Sequence, residues 1–334
     1  MTSDSPLSSN KKAEVSLETS DTSIASNGSE ADRLALEHEQ QDSLVSQERA
    51  KLAVHVSHVT IMGNLLLTVL KLVAGLVAHS AAMVSDAIHT ASDVVSTFIV
   101  IVSVKIASRR SDSNHQYGHE RFESLGSLLL SLMLMATGLG IGYSGLKKIF
   151  SAQSELAIPG DLALYAAFLS IVGKEAMYWY TIIAANRINS EALKADAWHH
   201  RSDAISSIGA LIGLWIAKLG YSQADPLASL LICLFIIKTA WEICRDSIEK
   251  LTDESCPDST VQKMRETAAS QEGVLDVREL KTRLFGPKVY MDITIACRKD
   301  LTLEKAHSIA EDVHLAIEHE FPQVKHCNVH VDPY

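Results

Sequence analysis

Six long apolar segments constrain the fold of this chain more than any other feature of its sequence. They cover residues 54–77, 81–106, 124–146, 160–185, 198–219 and 224–245. Each approaches or exceeds the ~20 residues that an α-helix needs to cross ~30 Å of hydrocarbon. Because most of the connections are short, six buried helices of a large soluble protein are a poor alternative. The pattern therefore predicts an α-helical membrane protein with six transmembrane helices.

Composition and charge divide the chain into three parts. Residues 1–30 are rich in Ser, Thr, Asn and acidic residues and lack the apolar run of a signal peptide, so we expect residues 1–48 to form a disordered acidic tail. Residues 49–250 are nearly neutral and form the predicted transmembrane domain, whereas residues 251–334 are acidic and form a predicted soluble domain. Since no basic stripe is present, the expected partner is a lipid bilayer and not a nucleic acid.

The positive charges that flank the apolar segments are concentrated on one side of the predicted membrane. That side carries Arg49, Lys51, Arg109, Arg110, Arg121, Arg187, Lys194, Arg245 and Lys250. The opposite side carries Lys147, Lys148 and Lys218. Because Lys and Arg are enriched at the cytoplasmic ends of membrane helices, both termini are expected in the cytoplasm.

The soluble part has a different periodicity from the apolar segments. Residues 258–271 and 302–320 have the spacing of amphipathic helices, whereas 276–284, 288–297 and 325–331 alternate as strands do. The order α-β-β-α-β predicts a small α+β domain with its helices on one face of a sheet.

One short pattern, D-A-x-H-x-x-S-D, occurs twice inside the apolar segments, at residues 86–93 and 196–203. Ionisable side chains at the depth of a membrane are costly, so they are candidates for function. A single copy would mean little, but two copies in separate helices indicate two halves of one site. We expect a supporting or near-surface role for the first residue of each copy, Asp86 and Asp196.

The spacing within each copy gives the pattern a chemical meaning. Residues four apart share one face of a helix, so His89 and Asp93 point the same way. The same spacing relates His199 to Asp203. If the two helices face each other, two imidazoles and two carboxylates converge, which suits tetrahedral zinc. The alternative is that these polar groups only hold the helices together.

Further candidates lie outside this pattern. Asp112, His115 and His119 follow the second apolar segment and could chelate a second ion, although a solvated loop explains them equally well. Lys174 and Glu175 are adjacent within the fourth segment, so we expect structural pairing with neighbours and no metal site. In the soluble part, the candidate ligands are Asp292, His307, His314, His326, His330 and Asp332.

These patterns favour a transporter over two other classes of protein. We expect efflux of a divalent cation, with zinc as substrate exchanged for protons, and no organic cofactor. A zinc hydrolase inside the membrane would need an open ligand position and a general base, and no H-E-x-x-H pattern is present. A metal sensor without transport is the third class. The sequence therefore predicts that this protein is not an enzyme.

Longer stretches of the chain resemble the cation diffusion facilitator family, of the bacterial zinc and iron efflux type. The resemblance covers nearly everything after about residue 50. It is carried by His89-x3-Asp93, by D-S-N-H-Q-Y-G-H-E-R-F-E-S from Asp112, and by A-D-A-W-H-H-R-S-D from Ala195. Residues 274–334 add L-K-T-R-L-F-G-P and the ending H-V-D-P-Y.

The resemblance implies a homodimer in the cell (inner) membrane. Each protomer would have six transmembrane helices and a cytoplasmic ferredoxin-like domain with a copper-chaperone-like fold. Arg121 and Asp253 fall where the family forms a charge interlock at the membrane surface of the dimer. The implied metal ligands are His89, Asp93, His199 and Asp203 for transport, and Asp112, His115 and His119 for a loop site.

The sequence departs from this family at several positions. Many iron and zinc members have Asp where this chain has His89, so the ligand set resembles the zinc-selective members, and iron, cadmium, cobalt or manganese is the alternative main substrate. Arg278 and Thr294 replace histidines of some relatives, which weakens the expectation of a binuclear cytoplasmic site. The residues that remain for a regulatory zinc are Asp292, His307, His330 and Asp332.

Overall fold

Helices dominate the membrane part of the chain. The computed structural model describes residues 11–77, 81–150, 161–218 and 224–334, and within the first range it describes side chains from Leu44 onward. Six long helices come first: α1 (Lys11–Val77), α2 (Ala81–Ala107), α3 (Arg121–Phe150), α4 (Asp161–Ile188), α5 (Glu191–Lys218) and α6 (Ala224–Leu251). The six apolar segments therefore form six helices, as predicted, except that residues 160 and 219 lie outside the described ranges.

Three of the described helical stretches have the length and hydropathy of a membrane span. They are Leu44–Val77, Asp86–Ala107 and Arg121–Lys147. Helix α4 is also long, at 28 residues, but Lys174 and Glu175 near its middle lower its hydropathy. Large apolar side chains are nevertheless exposed on all six helices, for example Leu66, Phe98, Leu132, Phe168, Ile212 and Leu231. An exposed apolar surface of this extent is unusual for a protein surrounded by water.

The helix α1 begins earlier than the sequence pattern predicts. Residues 1–48 are expected to be a disordered tail, yet the backbone is helical from Lys11 onward, while residues 1–10 lie outside the described part of the chain. Residues 29–62 contain neither Gly nor Pro and are rich in Ala, Leu, Glu and Gln. Because these are strong helix formers, helical structure can extend well beyond the apolar segment.

The last 80 or so residues form a layer of helices on a small sheet. The elements are α7 (Asp258–Ala269), β1 (Asp276–Phe285), β2 (Lys288–Cys297), α8 (Leu303–Glu320) and β3 (Val324–Pro333). The strand order is β1-β2-β3, with β1 antiparallel and β3 parallel to β2. Buried side chains from the helices and the strands share one core, which includes Met264, Met291, Ile295, Val313 and Ile317. The predicted α-β-β-α-β order is thus confirmed.

The membrane helices and the small domain belong to one unit of the chain, Arg49–Tyr334, and Met1–Glu48 forms the other. Helix α6 ends at Leu251, next to the predicted domain boundary at residue 250. The segment after α6 is hydrogen-bonded to the sheet. The backbone N–H of Leu284 on β1 donates to the backbone carbonyl of Glu254 at 2.8 Å. In the membrane part, α3 packs mainly on α6, and α4 packs on α5.

Candidate metal centre

The two copies of the repeated pattern meet in the structure, one on α2 and the other on α5. Nε2 of His199 lies 3.4 Å from Oδ1 of Asp93 and 4.0 Å from Oδ2 of Asp203. Nε2 of His89 lies 3.8 Å from Oδ1 of Asp203. The two imidazoles and two carboxylates expected from the spacing are therefore neighbours.

Burial differs among these four side chains. Asp93, His199 and Asp203 are buried, whereas the side chain of His89 is 51% exposed. His89, Asp93 and Asp203 each offer a donor atom within 4.8 Å of the others, so they could hold a metal ion. The group borders a cavity of about 430 Å³, which Thr137 and Ser206 also line. The cluster thus combines buried ligands with a space through which an ion could approach.

Lys174 of α4 enters this same cluster, which the sequence pattern does not predict. Its Nζ donates to Oδ2 of Asp93 at 2.5 Å and to Oδ2 of Asp203 at 3.0 Å. The neighbouring Glu175 points elsewhere, because it accepts from Nε1 of Trp179 at 3.1 Å and lies 3.7 Å from Arg201. Both residues pair with neighbouring side chains, but the partners of Lys174 are two of the candidate metal ligands.

The first residues of the two copies, Asp86 and Asp196, are not part of the group of four candidate ligands. Oδ2 of Asp86 lies 2.9 Å from Nζ of Lys71, on the same cavity. Asp196 is fully buried, and it accepts a hydrogen bond from Thr97 at 3.2 Å and lies 3.5 Å from Nε2 of His200. Both placements fit a supporting role, although Asp196 does not lie at the surface.

The loop between α2 and α3 brings its three candidate ligands together. Asp112 places Oδ1 3.3 Å from Nδ1 of His115 and Oδ2 3.2 Å from Nε2 of His119. The backbone N–H groups of His115 and Asn114 donate to Oδ1 at 2.7 and 2.9 Å. These donors lower the pKa of Asp112, chiefly the N–H of His115, so the carboxylate is ionised at neutral pH. The three side chains form a second group able to hold a metal ion.

This loop is tied to the small domain by two polar contacts. The hydroxyl of Tyr290 on β2 donates to the backbone carbonyl of Tyr117 at 2.7 Å. Lys325 on β3 forms an ion pair with Glu120. Burial lowers the pKa of Lys325, but the hydrogen bond and charge of Glu120 outweigh it, and the net shift is upward. The candidate loop site therefore lies against the sheet.

The two residues expected to form a charge interlock contact each other within one chain. Arg121, the first residue of α3, makes an ion pair with Asp253, just after α6. Its guanidinium lies 4.8 Å from the ring centroid of Phe285 at the end of β1. The pair thus links the membrane helices to the small domain.

The candidate ligands of the small domain are not gathered in the same way. Nε2 of His330 lies 3.2 Å from Oδ1 of Asp332, while Asp292 on β2 and His307 on α8 are exposed. Among the described residues, two groups of three side chains have donor atoms close enough to hold one metal ion, the loop group and the group around Asp93. None of these four residues of the small domain belongs to either group. Nη1 of Arg278 donates to Oδ2 of Asp332 at 3.0 Å, so a guanidinium already neutralises this carboxylate.

Comparison with known families covers both parts of this architecture. Residues 57–252 match the family described as the cation efflux transmembrane domain. Residues 256–334 match the cytoplasmic domain of cation efflux proteins. The first match ends at residue 252 and the second begins at residue 256, directly after the end of α6 at Leu251.

Individual relatives align over most of the chain. The uncharacterized transporter MJ0449 of Methanocaldococcus jannaschii is 35% identical over 82% of this chain and 95% of its own length. Metal tolerance protein C1 of Arabidopsis thaliana is 34% identical over 89% of this chain and 65% of its own. The manganese efflux system protein MneP of Bacillus subtilis is 28% identical over 87% and 99%. The chain therefore belongs to the cation diffusion facilitator family of membrane transporters that export divalent metal cations.

Proposed function

We propose that this chain exports zinc through the site formed by His89, Asp93, His199 and Asp203. The observation that carries the proposal is the convergence of two imidazoles and two carboxylates from α2 and α5. Zinc favours tetrahedral coordination by nitrogen and oxygen at ~2.0–2.2 Å, and two carboxylates balance its charge. Small movements of side chains already 3.4 to 4.0 Å apart would bring the donors to one ion.

We also propose that protons move in exchange for the metal. A histidine must be neutral to bind zinc, and the reference pKa of imidazole, ~6.5, lies close to physiological pH. Metal binding therefore releases protons, and protonation releases metal. If the site faces the two sides of the membrane in turn, an inward proton gradient drives metal outward.

We further propose that the protein is a homodimer in the cell (inner) membrane. Each protomer has six membrane-crossing helices, both termini in the cytoplasm and a ferredoxin-like domain. Apolar side chains exposed on all six helices support the six crossings. The match to the cytoplasmic domain of cation efflux proteins supports the placement of residues 256–334. Zinc at the loop group, and between two small domains, would regulate the rate of transport.

Manganese is the second candidate substrate. Asp93 and Asp203 supply oxygens, and hydroxyls of Thr137 and Ser206 line the adjoining cavity, which favours a harder ion than zinc. MneP of Bacillus subtilis is named for manganese efflux, which makes this ion worth direct comparison. The two imidazoles favour zinc over manganese as the main substrate.

The test is metal-dependent proton movement in sealed proteoliposomes that contain the full chain. Zinc, manganese, iron, cobalt and cadmium are compared, with a metal-sensitive dye inside and a pH-sensitive dye as the second readout. We expect the highest rate for zinc, with protons moving in the opposite direction. A matched control is Glu175→Gln, which removes a neighbouring membrane carboxylate outside the ligand group. Absence of metal flux in the wild-type protein would refute the proposal.

A further inference from the structure

A buried lysine occupies the centre of the candidate transport site. The Lys174 side chain is 3% exposed, and its Nζ is held by carboxylates from two different helices, Asp93 of α2 and Asp203 of α5. A charged group in a membrane interior is retained at a large cost in desolvation, which only close opposite charges offset. Such a desolvation cost argues against an incidental contact. The ammonium also contacts two of the four proposed metal ligands.

A metal ion and this ammonium compete for the two carboxylates. Zinc bound ~2.0–2.2 Å from the Oδ2 atoms, which Nζ now contacts at 2.5 and 3.0 Å, would overlap with the ammonium. Zinc bound instead to the Oδ1 atoms, which face His199 and His89, would still have to share the negative charge of both carboxylates with it. Their charges also conflict. Asp93 and Asp203 together balance one divalent ion, and adding the ammonium would leave an uncompensated positive charge in a medium of low dielectric constant. Substrate binding therefore requires Lys174 to move away.

The structure offers a place for the displaced ammonium. Lys174 lines the same cavity of about 430 Å³ that borders the ligand group. Ser170, one turn earlier on α4, and Ser206 on α5 line this cavity and carry hydroxyls. Asp86, whose side chain is 39% exposed and pairs with Lys71, adds a carboxylate to the lining. These oxygens could solvate the ammonium while the carboxylates hold the metal.

We propose that Lys174 is a tethered cation that competes with the transported metal for Asp93 and Asp203. This inference rests on the proposed function and goes beyond it. The ammonium weakens metal binding, promotes release, and then neutralises the carboxylates after the ion has left. The empty site can then turn back to the side from which it takes up metal, without two uncompensated carboxylates in the membrane interior.

The competing explanation is that Lys174 is a structural cross-link between α2, α4 and α5. The two explanations predict opposite changes in affinity. Loss of a competitor strengthens metal binding, because the carboxylates become free for the ion. Loss of a cross-link loosens the ligand group and weakens binding.

The deciding experiment compares Lys174→Met with the wild-type chain in lipid nanodiscs, where zinc and manganese binding is measured by calorimetry. A charge-assisted hydrogen bond is strong enough for its loss to lower the Kd about tenfold to a hundredfold. In proteoliposomes, the same variant is expected to lose at least about tenfold in net zinc export, since release becomes slow. Glu175→Gln, the control on the next residue of α4, should change neither quantity.

Lys174→Gln is a second variant, which keeps a hydrogen-bond donor but no charge, and it should also bind metal more tightly. An unchanged or higher Kd in a folded dimer of either variant overturns the proposal, and failure of both variants to fold establishes a structural role instead. If the wild-type chain transports zinc and Lys174→Met leaves the Kd unchanged, only the lysine proposal is refuted. A wild-type chain without metal flux refutes the proposed function.

Discussion

His199 of α5 lies 3.4 Å from Asp93 of α2, although 106 residues separate them in the chain. Each copy of the repeated pattern supplies half of the candidate transport site, and neither half could hold a divalent ion alone. Substitutions in one half should therefore disable the whole site.

Asp93→Ala and, separately, Asp203→Ala should lower zinc flux at least about a hundredfold. Each variant removes one of four ligands and leaves the divalent charge only half compensated inside the membrane, which is heavily penalised. Because Ala is easily inserted into a membrane helix, the dimer should persist. Flux in proteoliposomes and size-exclusion chromatography measure the two effects. Flux near the wild-type rate in either variant would mean that the pattern has only a structural role.

His89→Asp should shift selectivity towards manganese and iron. The substitution replaces a nitrogen ligand with oxygen, which makes the site harder. The side chain of His89 is half exposed on the cavity, so a shorter residue can be accommodated without repacking. The measurement is the ratio of manganese to zinc flux, expected to rise about tenfold or more. An unchanged ratio would show that His89 does not contact the transported ion.

The joint replacement of Asp112, His115 and His119 by Ala should lower zinc flux a few-fold without abolishing it. These residues lie in the loop after α2, outside the membrane helices, so the ion does not need them in order to cross. The loop also contacts the sheet through Tyr117 and Tyr290, so part of the effect should reflect looser attachment of the small domain. Complete loss of flux in a folded dimer would contradict this regulatory role.

Zinc should draw the two cytoplasmic domains of a dimer together, and Arg278→His should strengthen this response. The domains are acidic and repel each other until cations bind. In the wild-type chain the guanidinium of Arg278 neutralises Asp332 at 3.0 Å. The variant frees that carboxylate and adds an imidazole. Distances between spin labels, measured with and without zinc, test the effect, and an equal response in both proteins would count against it.

The small domain should be more stable at pH 6 than at pH 8.5, partly because of His314. Its Nε2 lies 3.0 Å from Oε1 of Glu318, and this hydrogen bond raises the pKa of His314 above its ordinary value. A raised pKa adds stability below the unfolded value of ~6.5, and that stability is lost as pH rises through the folded value. The contribution is about 0.3–0.5 kcal/mol, as for other pairs four residues apart in a helix.

Urea unfolding of a soluble piece, residues 252–334, followed by circular dichroism at both pH values, gives the measurement. The piece contains a complete core of its own. His314→Gln should reduce the difference in the free energy of unfolding between the two pH values by that amount. The same difference in both proteins would refute the role of His314, because the other histidines of the domain are present in each.

Local patterns in the sequence determined much of this protein. Apolar runs and periodicity located the six helices and the α-β-β-α-β order, because helices and strands depend on which faces of short segments are apolar. The four-residue spacing of His89 and Asp93, and of His199 and Asp203, determined that each pair shares a helix face. The composition of residues 1–48 predicts a disordered tail, whereas the backbone is helical from Lys11 onward.

Only the tertiary structure decided which charges meet. Lys174 lies 81 residues from Asp93 and 29 from Asp203, and no local pattern relates an isolated lysine to a distant pair of carboxylates. Likewise, Arg278 reaches Asp332 only because β2 brings β1 and β3 into one sheet. Electrostatic pairing depends on distance and burial after the helices and strands have packed. The sequence therefore identified the candidate ligands, whereas the fold decided which protein cations lie in contact with them.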